Sequence, residues 1–86
     1  MNTFRLNISS YDGTVYEEQV QMLILRGASG DLAVMAGHIP FATSVVPGQI
    51  RIKVDDTKEL VGKTEGGLLT VDSEKTTLLS GTFQWI

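Results

Sequence analysis

Residues Val15 to Arg26 read Val-Tyr-Glu-Glu-Gln-Val-Gln-Met-Leu-Ile-Leu-Arg, and they decide between a helical and an all-β chain. Tyr16, Val20, Leu23 and Ile24 could form a helical stripe. Met22-Leu23-Ile24-Leu25 is instead apolar on both faces of a strand, and Val15 and Val20 are β-branched. The segment is read as two short strands, the second buried on both sides or facing a partner.

The flanks agree. Upstream, Phe4, Leu6 and Ile8 alternate with Arg5, Asn7 and Ser9, the period of a half-buried strand. Asp12-Gly13 then turns the chain. Downstream, Gly27 to Asp31 is a turn and Leu32 to Met35 a short strand. Gly37-His38-Ile39-Pro40 is irregular, with Ile39 pushed to extended geometry by the proline. Phe41 to Val46 is strand-like and Pro47-Gly48 turns. Ile50, Ile52 and Val54 alternate with Arg51, Lys53 and Asp55, and Asp55-Asp56 starts another turn. Leu60-Val61 is short. Gly66-Gly67 is a flexible break, or a bulge where backbones approach closely. Leu68 to Val71 and Thr76 to Leu79 form a hairpin across Asp72 to Lys75, and Phe83 and Trp85 close the chain. Eight to ten short strands with turns every 8–12 residues make a sandwich or barrel. Residues 1–86 form one domain.

Composition narrows the function. The chain is 42% apolar and 20% charged, as a folded globule requires. Seven scattered basic residues against ten acidic ones give net −3, which argues against nucleic acid. The longest apolar run, Leu32 to Ala36, is five residues, far short of the roughly 20 that a membrane helix needs. No cysteine is present, which fits a reducing compartment. The start, Met-Asn-Thr-Phe-Arg-Leu-Asn, has no signal core, so a cytosolic or equivalent origin is expected.

Catalytic inventory is thin. His38 is the single histidine, and with no Cys it cannot anchor a usual metal site. Its plain reading is a loop imidazole bonded to backbone. No nucleophile motif surrounds any serine, so a Ser-His-Asp triad is not expected. Glu17-Glu18 and Asp55-Asp56 are adjacent pairs, which point to opposite faces of a strand and do not converge. Gly27-Ala28-Ser29-Gly30 lacks the Lys-Ser/Thr of a phosphate loop. No cofactor or metal is expected.

One longer pattern goes beyond strand periodicity. It comprises Gly27-Ala28-Ser29-Gly30-Asp31-Leu32, Gly37-His38-Ile39-Pro40 and Pro47-Gly48-Gln49-Ile50-Arg51-Ile52. Phe4 to Ser9 and Gly66 to Val71 extend it. Together they resemble the N-terminal domain of the epsilon subunit of F-type ATP synthase, called delta in mitochondria, over essentially the whole chain. The glycines at 27, 30, 37 and 48 permit tight or positive-φ turns, and Pro40 and Pro47 stiffen corners.

The resemblance implies an antiparallel β-sandwich of about ten short strands in the central stalk of the synthase. It implies two partners, the gamma subunit and the polar loops of the membrane c-ring, and a peripheral place on the cytoplasmic face of the bacterial membrane. Ser29, Gly30 and Asp31 correspond to the ring-facing turn. Ser10, His38, Ile39 and Thr43 correspond to the gamma side, although Ser10, His38 and Thr43 could equally be ordinary turn or strand residues. The family's C-terminal helical hairpin is not in this chain, so inhibition and nucleotide binding are not assigned. Lys63-Thr64-Glu65 replaces a more apolar run, which suggests a frayed or shifted strand, and Ala36 stands where a larger residue or proline is common. A free-standing binding module with another partner is the main alternative, and a small enzyme the remote one. Apolar surface around Met22–Leu25 and Phe83–Ile86 suggests weak self-association of the isolated domain.

Overall fold

A computed structural model describes residues 2–86. Among them run ten strands and no helix: β1 Phe4–Ser10, β2 Gly13–Val20, β3 Met22–Gly27, β4 Gly30–Met35 and β5 Phe41–Val45. The second half comprises β6 Gly48–Lys53, β7 Glu59–Thr64, β8 Gly67–Val71, β9 Lys75–Ser80 and β10 Phe83–Trp85. Val15 to Arg26 is indeed two strands, parted at Gln21.

Hydrogen bonding follows one path, β10-β7-β6-β3-β5-β8-β9-β1-β2, with β4 on the other edge of β3. The path turns a corner where β3 meets β5, which divides it into two layers. Sheet I is β2-β1-β9-β8-β5 and sheet II is β4-β3-β6-β7-β10. At the corner Gly27 pairs with Val45. The Ala28 N–H donates to the Ser44 carbonyl (3.0 Å) and the Val46 N–H to the Arg26 carbonyl (3.1 Å). The pairings are antiparallel except β1 with β9, which is parallel. A parallel pair needs a long crossover, and here the whole of β2 to β8 supplies it.

Alternation sends one face of each sheet inward. Leu6, Ile8 and Leu78 from sheet I meet Leu23, Leu25, Ile50 and Ile52 from sheet II, and none of these is more than 2% exposed. Burying one such side chain contributes about 1.5–3 kcal/mol, so this interleaved layer dominates the stability. Leu23 and Leu25 face the core, whereas Met22 and Ile24 lie half-buried on the outer face.

Three local expectations are corrected. Lys63 to Glu65 does not fray: β7 pairs with β6 through Thr64 and with β10 beyond it. Thr64 points inward and shares a 2.5 Å hydrogen bond with the buried Ser80 hydroxyl. Its Oγ1 also accepts the Gly66 N–H at 3.1 Å, and Ser80 donates to the Thr82 carbonyl at 2.7 Å. A polar residue is tolerated there because its bonds are made. Second, the turn after β3 is only Ala28-Ser29, so Asp31 sits on a strand. Third, Gly30 and Gly37 do adopt positive φ (124° and 84°), but Gly27 and Gly48 are ordinary strand residues. Gly67 is a close-approach glycine, as one of the two readings had it. A Cβ there would run into the Leu79 carbonyl.

Candidate functional site

The two long sides of the sandwich, where the sheets' edges face each other, are finished differently. On one side β2 faces β10, and aromatic rings close the seam. Trp85 meets Tyr16 edge-on (5.5 Å, 73°) and Phe83 nearly perpendicular (4.9 Å, 88°). Burial, then the neighbouring Glu18 charge, pushes the Tyr16 phenol above its ordinary pKa. Strand β2 also carries a bulge opposite Ile8/Ser9, and Glu18 stands on its inward row opposite Leu6. A bulge and an inward-pointing charge both discourage stray strand pairing.

On the other side β4 faces β5, and below the Gly27–Val45 joint the seam is open. A groove of about 280 Å³ runs there, lined by Ser29, Gly30, Asp31, Leu32, Phe41 and Thr43 among others. The fold thus brings Thr43 to the same groove as Ser29, Gly30 and Asp31. Thr43 lies on the inward row of β5, with its methyl and hydroxyl 3.6 Å from where a Gly27 Cβ would stand. Asp31 is paired across the hairpin with Arg26, whose Nε donates to Oδ1 at 3.0 Å. Both side chains are well exposed, so this pair contributes only about 0–1 kcal/mol.

His38 and Ile39 lie at the far end of β4, about 13 Å of strand beyond Asp31 at 3.3 Å per residue to Met35. The His38 Nδ1–H donates to the Ile39 carbonyl at 2.8 Å, and the ring rests on Phe41 at 4.8 Å. The His38 N–H donates to the Met35 carbonyl at 3.2 Å. The imidazole is therefore a corner brace, and it presents Ile39 at 74% exposure. The acidic turn bordering His38 is Asp72–Glu74; the two share a cavity of about 350 Å³ with Arg5 and Lys75. The Asp72 carboxylate accepts the Glu74 and Lys75 N–H groups at 2.8 and 2.7 Å, bonds that hold its pKa below the ordinary value. It is engaged in its own turn rather than aimed at the imidazole. Among the described residues no trio of His, Asp and Glu is placed to hold a metal ion.

Ser10 ends β1, with β9 and β8 between it and β5 in sheet I. One register row crosses the outer face between their neighbours: Ser9 opposite Leu79, Leu79 opposite Leu68, Leu68 opposite Ser44. Leu68 and Leu79 are 43% and 52% exposed. Two leucines side by side in the middle of a sheet, open to water, form an apolar bridge between the neighbourhoods of Ser10 and Thr43.

The β-sandwich domain of the ATP synthase delta/epsilon chain matches residues 3–86. This chain belongs to that family. It is 38% identical over 80 residues to the ATP synthase epsilon chain of Bacillus pumilus, covering 93% of this chain and 60% of the relative. It is 32% identical over 83 residues to the sodium-ion-specific epsilon chain of Acetobacterium woodii, covering 96% and 62%. The chain thus spans about 60% of the length of the curated relatives it matches. In fold it matches a chain of the Euglena gracilis mitochondrial ATP synthase OSCP/F1/c-ring structure at TM-score 0.90 and 19% identity. That match covers 96% of this chain and 53% of the other.

Within this epsilon-type sandwich, the sequence reading missed the Leu68–Leu79 pair and the Arg26 partner of Asp31. Both had a signal. Leu68-Leu69 and Leu78-Leu79 are adjacent doublets, and a strand must turn one member of each outward. A two-residue turn at Ala28-Ser29 sets Arg26 opposite Asp31 by counting. Of the expected apolar patches, Trp85 and Ile86 are exposed, whereas Leu23 and Leu25 are core.

Proposed function

We propose that this domain is a non-catalytic element of the ATP synthase rotor, held between the gamma subunit and the c-ring so that torque from proton or sodium flow passes through it. The observation that supports this reading is an exposed apolar pair in an epsilon-family sandwich: Leu68 and Leu79 lie in a row with Ser9 and Ser44 on the outer face of sheet I, and Ile39 stands exposed beyond the end of β4. The gamma subunit would take the apolar row and the Ile39 corner. The ring would take the Ser29–Asp31 end, where a basic loop residue could share Asp31 with Arg26. Such an exposed charge contact is worth about 0–1 kcal/mol, so the apolar contacts must supply most of the affinity. The domain would be peripheral to the membrane, on its cytoplasmic face in a bacterium, and would touch it only through the ring.

The test combines Asp31→Lys and Ile39→Ser, separately and together, in the assembled synthase. Both side chains are exposed, so folding should be unchanged. Each should lower the yield of copurified gamma and ring and reduce coupled ATP synthesis. Full copurification and synthesis with the double variant would remove the interface assignment. A pull-down that recovers another protein in place of gamma would favour a free-standing binding module.

A further inference from the structure

An aspartyl or asparaginyl side chain can be attacked by the main-chain nitrogen of the next residue, and a Cβ on that residue hinders the approach. Most such sites in this chain are held or hindered. The Arg26 Nε donates to Asp31 Oδ1 at 3.0 Å. Asp55 accepts the Thr57 and Lys58 N–H groups at 2.8 and 2.9 Å, and Asp72 accepts those of Glu74 and Lys75 at 2.8 and 2.7 Å. Asp56 precedes the β-branched Thr57, and Asn2 and Asn7 precede Thr3 and Ile8. Asp12 is the one aspartate that precedes a glycine. It is exposed, and its carboxylate makes no hydrogen bond or ion pair among the described residues.

The turn that carries Asp12 is loosely held. Tyr11 and Asp12 form the loop between the paired Ser10 and Gly13. Neither has positive φ and Gly13 stands at 109°, the signature of a type I turn followed by a bulge glycine. Only two pairs, Ser9 with Thr14 and Ser10 with Gly13, lie beyond the shift in register at Ile8/Ser9. Tyr11 is 90% exposed and gives the tip no apolar anchor. A tip set off by a bulge and lacking an anchor opens locally while the sandwich stays closed. Nothing lies within 4 Å of the place a Gly13 Cβ would occupy, so a ring at the Asp12–Gly13 link meets no neighbour there.

We propose that Asp12 is a self-modification site that converts to isoaspartate, with water as the only co-reactant. The Gly13 nitrogen attacks Asp12 Cγ in its carboxylic acid form. The N–Cγ bond forms, the nitrogen gives up its proton, and one Cγ oxygen leaves as water. Water then opens the five-membered imide. Opening at Cγ restores aspartate. Opening at the main-chain carbonyl routes the chain through Cβ and Cγ and leaves a free α-carboxylate. Nothing is oxidised or reduced. The product has one more main-chain atom in the loop, so the Ser10–Gly13 pair loses its register. It also presents the substrate class of carboxyl-methylating repair enzymes. The inference needs only the hairpin and stands apart from the rotor reading.

The test ages the whole folded chain at neutral pH and physiological temperature, then digests it. Isoaspartate is mapped by mass spectrometry and by methyl transfer from S-adenosylmethionine with an isoaspartate methyltransferase. Asp12 should accumulate it about tenfold or more faster than any other Asp or Asn. No isoaspartate at Asp12, or as much at Asp56, would overturn the proposal. The same chain in urea separates sequence from fold. Because the tip opens locally, the folded rate at Asp12 should lie within about tenfold of the unfolded rate. A larger deficit would show that the hairpin guards the site and would overturn the proposal. Two variants give an independent readout. Asp12→Glu would need a six-membered ring and should abolish the product at that position, and the exposed side chain leaves folding unchanged. Asp12→Asn releases ammonia in place of water and should react about tenfold faster or more. Methyl acceptance by Asp12→Glu equal to that of the unaltered chain, or a slower Asp12→Asn, would contradict the imide route.

Discussion

The β2/β10 seam and the β4/β5 seam solve the same problem in opposite ways. Each is a place where two sheets end side by side and leave strand edges and apolar side chains near water. At the first, Trp85 bridges to Tyr16 and Phe83, and a bulge and Glu18 blunt the exposed edge. At the second, the Gly27–Val45 joint ties only the top, and a groove floored by Leu32 and Phe41 is left open. A chain able to finish one seam with three rings has the means to finish the other. Of the residues that the family resemblance assigns to partners, Ser29 to Asp31 and Thr43 line the unfinished side, whereas Ser10 lies on β1 beyond β8 and β9. On the proposed reading, the difference separates a side that serves stability from a side that serves association.

The strongest way to break this division is to break the joint that holds the open seam in shape. Gly67 pairs with Val45 on one side and Ser80 on the other, and an added Cβ would meet the Leu79 carbonyl, a backbone atom that cannot rotate away. Gly67→Ala should destabilise the fold by about 2–3 kcal/mol in urea unfolding. A change under about 0.5 kcal/mol would mean the sheet relaxes freely there. Next is the closed seam. Trp85→Ala removes both ring contacts of a half-exposed side chain and should cost about 2 kcal/mol of stability, below the 3–5 of a fully buried ring. Gamma binding should stay within about twofold, since no partner contact is assigned there. The converse variant, Leu68→Ser with Leu79→Ser, should weaken gamma binding at least about tenfold while stability holds or rises slightly, because both leucines are exposed.

Much of this was legible in the sequence. The strands declare themselves where one face is apolar, as in Phe4–Ser10 and Ile50–Val54, and the turns at Asp12-Gly13 and Pro47-Gly48 carry their own chemistry. The hard segment, Val15 to Arg26, yielded to its β-branched residues and its doubly apolar run. The seams were not legible. Which edges face each other depends on the parallel β1–β9 pairing and the corner at Gly27, both set by contacts far apart in sequence. Thr64 looked like a disruption because its partner, Ser80, is 16 residues away. Asp31 and Thr43 looked like contacts for different partners, and only the fold shows them lining one groove.

A smaller effect separates the molecule by pH. Bonds from Arg5 hold the Glu17 carboxyl below its ordinary value of 4.5, and turn amides hold Asp55 and Asp72 below 3.8. Groups depressed in the fold stabilise it above their unfolded pKa, and that contribution disappears as pH falls through the lower folded values. Tyr16 is shifted the other way. Its stabilisation is complete below its unfolded value of 10.0 and is lost as pH rises through the higher folded one. Acid should therefore loosen the turns and the β1–β2 face, and strong alkali the closed seam. Tyrosine absorbance should show Tyr16 ionising above its ordinary value of 10.0. Ionisation at or below that value would show that the ring is not held in the seam.

The most direct test places a photoreactive side chain at Thr43, at Ile39, at Glu18 and at Gln84, one at a time, in the assembled synthase. Thr43 and Ile39, on the open side, should crosslink to gamma in high yield, and Glu18 and Gln84, beside the aromatic seam, should not. Efficient crosslinking from Glu18 or Gln84 with none from Thr43 or Ile39 would place the partner on the wrong side of the sandwich and contradict the account.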